Sequence, residues 1–172
     1  MKQIINNKLI IGLLGSLFFS LFVLPAQAEE GAIRFSNNAF KQEITTDKNG
    51  KKHFDFVEPK LVLPGDVILY EIEFENVSDQ TISDIVVNTP LPNNSKFRAG
   101  SAKGKFTQIT FSVDGNNYKT AESLIVKDKT GKSWLAKPED YQAIRWVYKR
   151  ALKPGEKSKV SYKTEIKNTN KP

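Results

Sequence analysis

The chain has 172 residues, a formal net charge of +7 and no cysteine. The missing cysteine excludes disulfides, a thiol nucleophile, a thiolate metal site and a lipid-modified cysteine anchor. A single histidine, His53, excludes the usual zinc ligand sets and leaves a Ser-His-Asp arrangement only one possible base.

Residues 1–28 have the order of a secretory signal peptide. Lys2 and Lys8 give a basic start, and Leu9 to Leu24 is apolar except for Gly12, Gly15, Ser16 and Ser20. Pro25-Ala26-Gln27-Ala28 supplies small residues before a cut, and Glu29-Glu30 follows. The apolar run is shorter than the roughly 20 residues of a membrane-spanning helix. Cleavage is expected after Ala28, with an uncleaved anchor as the alternative. Either way the chain leaves the cytoplasm, and a periplasmic or secreted protein is expected. The polar C-terminus carries no wall-sorting pattern. No later apolar run is long enough to span, so no transmembrane segment is expected after signal cleavage.

Residues 29–60 predict an N-terminal strand and a β-hairpin turning at Asp47-Lys48-Asn49-Gly50, added to the edge of the domain that follows. Residues 61–168 are dominated by alternation of period two. In Val67 to Asn76, Ile68, Tyr70, Ile72 and Phe74 share one face, while Glu71, Glu73 and Glu75 share the other with Leu69. Ile82 to Asn88 and Phe106 to Val113 are also strand-like. Ile144, Trp146 and Tyr148 alternate with Arg145, Val147 and Lys149, and Val160 to Ile166 alternates in the same way. Turns are expected at Asp114-Gly115-Asn116-Asn117 and Asp128-Lys129-Thr130-Gly131. Pro64-Gly65 and Pro154-Gly155 each stand just before a strand. Only Lys137 to Gln142 suggests a helical turn, with Pro138 at its start. The fold class that follows is all-β, an antiparallel β-sandwich of about 7–10 strands. Trp146 is expected to be its core aromatic.

Four segments, in order, resemble the bacterial conserved repeat domain, also called domain of unknown function 11. They are Leu63-Pro64-Gly65-Asp66 with the strand to Asn76, Ile85-Val86-Val87-Asn88-Thr89-Pro90-Leu91-Pro92, Ile144-Arg145-Trp146, and Leu152-Lys153-Pro154-Gly155-Glu156 with Val160-Ser161-Tyr162. The resemblance covers roughly Leu61 to Lys167. It implies an immunoglobulin-like fold and an extracytoplasmic setting, and it implies no catalytic or ligand-binding residues. The chain departs from the family in being a single copy and in an insert around Phe111 to Tyr141. Within the motif, Asp66 is expected to cap the Pro64-Gly65 turn and Asn76 to stabilise the exit of its strand.

No catalytic, cofactor-binding or metal site emerges from the residues. Glu71, Glu73 and Glu75 lie about 7 Å apart along a strand, near a glycosidase separation, but such a row is the ordinary solvated face of an outer strand. The Asp114 and Asp128 loops offer oxygen ligands without the spacing of an EF-hand, so turn-making accounts for both. Charge is the better lead. Residues 29–95 hold twice as many acids as bases, and residues 96–172 more than twice as many bases as acids. If the halves occupy different faces, the molecule is a dipole; if their strands interleave, the asymmetry averages out. Arg145, Lys149, Arg150, Lys153, Lys157, Lys159, Lys163 and Lys167 are the candidate contacts for a polyanion such as lipopolysaccharide or an acidic glycan. No nucleic-acid signature accompanies them.

The expected function is therefore an exported, non-enzymatic β-sandwich that serves the bacterial envelope as a structural or adhesion-like interaction module. Its partner would be an envelope protein or glycan. Polyanion binding through a basic C-terminal face is the alternative, and a hydrolase with an unrecognised site the remote one.

Overall fold

The computed structural model describes residues 31–168, so the signal-peptide expectation for residues 1–28 falls outside the described residues. Eleven strands follow one another: β1 (Ile33–Thr46), β2 (Lys52–Val57), β3 (Val67–Asn76), β4 (Val86–Pro90), β5 (Ser95–Phe97), β6 (Lys103–Gly104), β7 (Thr107–Ser112), β8 (Ile125–Lys127), β9 (Ser133–Leu135), β10 (Ala143–Tyr148) and β11 (Lys157–Ile166). Every pairing between them is antiparallel. One sheet runs β2-β1-β3-β11-β5, with β6 also on β11; a second runs β4-β10-β7; β8 and β9 form a small hairpin of their own.

The period-two pattern decides which faces meet. Ile72 and Phe74 of β3 and Val160 and Tyr162 of β11 turn inward from the first sheet, and Val87, Ile144, Trp146 and Tyr148 turn inward from the second. Phe74 meets Tyr148 edge-on at 5.4 Å between ring centroids, and Trp146 meets Tyr162 at 6.0 Å. Trp146 is fully buried, as its place in the alternation requires. The result is an antiparallel two-layer β-fold. No helix among the described residues is long and apolar enough to cross a membrane.

Two Pro-Gly turns aim the central strands. At Leu63-Pro64-Gly65-Asp66, the Leu63 N–H donates to Asp66 Oδ2 at 2.7 Å and the Asp66 N–H donates back to the Leu63 carbonyl. Lys153-Pro154-Gly155-Glu156 repeats the device, with the Lys153 N–H donating to Glu156 Oε2 at 2.9 Å. Both glycines have positive φ, 90° and 73°, which the second corner of such a turn demands. Asp66 thus caps its turn as expected, and Lys41 Nζ, 2.8 Å from the same carboxylate, and the Leu63 N–H hold it below the usual aspartate range.

The Asn76 side chain, fully buried at the end of β3, ties three segments together. Its Nδ2 donates to the carbonyls of Gln80 and Leu152, and its Oδ1 accepts from the backbone N–H and the hydroxyl of Ser78. Every hydrogen-bonding position of the amide is used.

Four details depart from the expectation. The strands number eleven, more than the seven to ten expected, because β5, β6, β8 and β9 are pieces of two or three residues. The strand expected over Ile82 to Asn88 reduces to Val86–Pro90, because Asp84 at φ 58° breaks the extended path; Ile82 keeps only an isolated bridge to Leu152. The helical turn at Lys137 to Gln142 shrinks to a 3-10 turn at Pro138–Asp140. The insert also contains the β8–β9 hairpin and a second 3-10 turn at Ala121–Ser123, neither of which local periodicity announced.

Candidate functional site

The charge asymmetry of the sequence is cancelled by topology. Acidic β3 lies beside basic β11, with Lys157 opposite Glu75 and Lys159 opposite Glu73. Lys157 Nζ sits 3.2 Å from Glu73 and 3.4 Å from Glu75, and Lys159 Nζ 2.9 Å from Glu71. The Glu73 carboxylate, followed by Glu75, raises the Lys157 pKa above the ordinary lysine value. The glutamate row considered for sugar chemistry is thus occupied by ion pairs on the solvated face.

The eight candidate polyanion contacts do not gather on one face. Lys157, Lys159 and Lys163 project from the outer side of β11, and Lys163 Nζ lies 4.6 Å over the Phe56 ring. Arg145 projects from the other sheet, stacked 3.8 Å over Tyr118 and bonded through Nε to Asn88. Lys149, Arg150 and Lys153 lie in the turn between β10 and β11, with Arg150 4.4 Å over Phe106. Lys167 is at the opposite end of the sandwich, donating to the Asn93 carbonyl.

The remaining titratable candidates serve turns. His53 Nε2 stands 3.1 Å from Asp47 Oδ2 across the β1–β2 turn, and the His53 bond leads the causes that lower Asp47. Asp114 Oδ1 accepts from the N–H groups of Asn116 and Asn117 and from the Ser112 hydroxyl. Those bonds, with Asn117 first among them, hold it far below the aspartate range. Asp128 Oδ1 accepts in the same manner from Thr130 and Lys132. No group of three or more acidic, histidine or cysteine side chains able to hold a metal occurs among the described residues.

What stands out instead is one end of the sandwich. β1 runs on past the start of β3, so residues 42–46 pair only with β2 and the hairpin extends beyond the main sheet. The crossover at residues 58–66 is at the same end, tied to β1 by Lys41 Nζ bonds to Asp66 and to the Leu61 carbonyl. The insert between β7 and β10 also leaves the second sheet here. Phe111 and Tyr141 stack at 4.6 Å, and Phe97 of β5 packs on both, joining the insert to the first sheet.

Of the eleven large apolar side chains exposed among the described residues, eight sit at this end: Ile44 and Phe54 on the hairpin, Leu61 to Leu63 in the crossover, and Ile125, Trp134 and Leu135 on the insert. An open cleft of about 820 Å³ lies between the insert and the β4–β5 turn, with Ile125 the one member of this group in its lining. Phe97 and Tyr141 line it with Lys119, Lys127, Lys167 and Asp140. Burial, followed by Glu122 and Asp140, raises the Tyr141 phenol, which stays protonated as a donor. The clustering could not be read from the sequence, because it depends on which strand ends meet. The three-residue run Leu61-Val62-Leu63 was its one local signal.

The chain matches no family model, no curated protein and no solved structure.

Proposed function

We propose that this protein is an exported, non-enzymatic immunoglobulin-like module that acts by surface contact in the bacterial envelope, as a structural or adhesion-like component. The observation that supports this reading most strongly is the collection of exposed apolar side chains, with an open, mainly polar cleft, at one loop end of the sandwich. Loops carried on a rigid sheet scaffold are where such folds place their contacts. Apolar side chains left exposed at several loops of one end mark candidate partner contacts. The two aromatics of the cleft, Phe97 and Tyr141, and its charges of both signs suit an envelope protein or glycan. Carboxylates spent on turns and ion pairs leave little for bond-making chemistry.

Capture from envelope extract tests the reading. Phe54→Asp and Leu135→Asp change exposed positions and are expected to keep the melting temperature of the unchanged chain. Each is expected to lose at least tenfold of the partner retained by that chain. Phe106→Ser, at the opposite end, is expected to retain it. Equal recovery by all four proteins would reject this surface as the contact face.

A further inference from the structure

The first sheet ends in an unpaired strand edge whose pattern is self-complementary. β1 pairs with β3 over residues 33–41, but β2 covers its other side only from Lys41 onward. Among the described residues nothing pairs with the outer side of Ile33 to Ala39. The Val77 N–H donates to the Ala32 carbonyl, which fixes the phase of the ladder. Even-numbered residues bond inward to β3. The N–H and C=O groups of Ile33, Phe35, Asn37 and Ala39 therefore face outward.

Natural edges are usually guarded by lysine, proline, a bulge or a covering loop. This one has no proline, and its only charge, Arg34, is 3.5 Å from Glu75 on its own sheet. Phe35 is 49% exposed beside this edge. It lines a groove with Asn37, Ile72 and the residues of β4.

We propose that two copies of this chain join antiparallel along β1, with the two-fold axis through Ser36. In that register Ile33 opposes Ala39 and Phe35 opposes Asn37, so every outward N–H and C=O of the four residues meets its complement. About eight new backbone hydrogen bonds result. Arg34 opposes Asn38, and no like charges face each other. The register is also bounded by the fold. Val57 of β2 stands opposite Lys41, so an incoming strand must turn away at Gly31, where the absence of a side chain permits it. The two sheets then continue into one. The paired residues, Ile33 to Ala39, include none of the exposed apolar side chains of the loop end.

Ser36 would form a non-hydrogen-bonded pair with its own symmetry mate, at a Cα separation of about 4.5 Å. That lies within disulfide reach. Asn38 would be four residues from its mate, about 13 Å along the strand. Since the chain has no cysteine, Ser36→Cys and Asn38→Cys report on this register alone. The full chain, exported with its own leader and purified, is expected to sediment as a dimer at about 100 µM. Under mild oxidation Ser36→Cys should cross-link at least tenfold faster than Asn38→Cys. Phe35→Lys, which places a charge beside the axis, should weaken the dimer at least tenfold while melting within a few degrees of the unchanged chain. A monomer at that concentration, equal cross-linking of the two cysteine variants, or cross-linking of Ser36→Cys to a different protein only, would each overturn the proposal.

Discussion

Trp146→Ala is expected to destabilise the fold by about 3–5 kcal/mol, the range for removing a large buried aromatic. Trp146 is fully enclosed at the centre of β10, with Tyr162 across the core and Val87 and Ile109 as its register neighbours in the second sheet. Its indole N–H has no hydrogen-bond partner, so its contribution is packing and buried area. Trp146→Phe should therefore keep most of the stability that the alanine variant loses. Against a typical total of about 5–15 kcal/mol, the alanine change removes a large share. Urea unfolding monitored by circular dichroism measures both variants. A loss below about 1 kcal/mol for alanine would show that the two sheets are not held together at Trp146.

Asn76→Ala should rank close behind, at about 3 kcal/mol, for a different reason. The side chain is fully buried and satisfies two carbonyls and two donors, the Leu152 carbonyl among them buried as well. Removing it leaves the Leu152 carbonyl with the Ile82 N–H as its one remaining donor and takes away the other bonds of the amide, and a buried polar group that loses a partner costs about 1–3 kcal/mol. Asn76→Asp is the sharper variant, because it retains the volume but turns oxygen toward the carbonyls of Gln80 and Leu152. A carboxylate there meets two acceptors without a donor, so the aspartate variant should be at least as unstable as alanine at neutral pH. Thermal melts of both should fall by on the order of 10 °C for a domain of this size. Unchanged melting would mean that the Asn76 network does not fasten the end of β3 to the Leu152 segment.

Where a residue's fate follows from its immediate neighbours, the sequence was legible. Strict alternation placed β3, β10 and β11 and turned Trp146 inward. Asp-Gly and Pro-Gly pairs marked the turns, because positive φ and a fixed proline φ are properties of single residues. Asp66 and Asn76 were recognised as turn and strand-end fasteners for the same local reason. The short strands β5, β6, β8 and β9 escaped, since two or three residues cannot display a period. The candidate site escaped for a deeper reason. Whether β11's lysines form a basic face depends on the neighbour that β11 takes, and it takes the glutamate strand β3. Likewise Phe54, Leu61 and Leu135, far apart in the chain, become one end of the molecule only through the order of strands in two sheets.

Photo-cross-linking in the cell reads out contact through that loop end at single residues. A photoreactive amino acid would replace Leu135 in one strain and Glu73, on the solvated sheet face, in another. A discrete cross-linked species of higher mass is expected from position 135 and none from position 73. A clean position 135 beside a discrete product at position 73 would contradict it and move the contact to the sheet face.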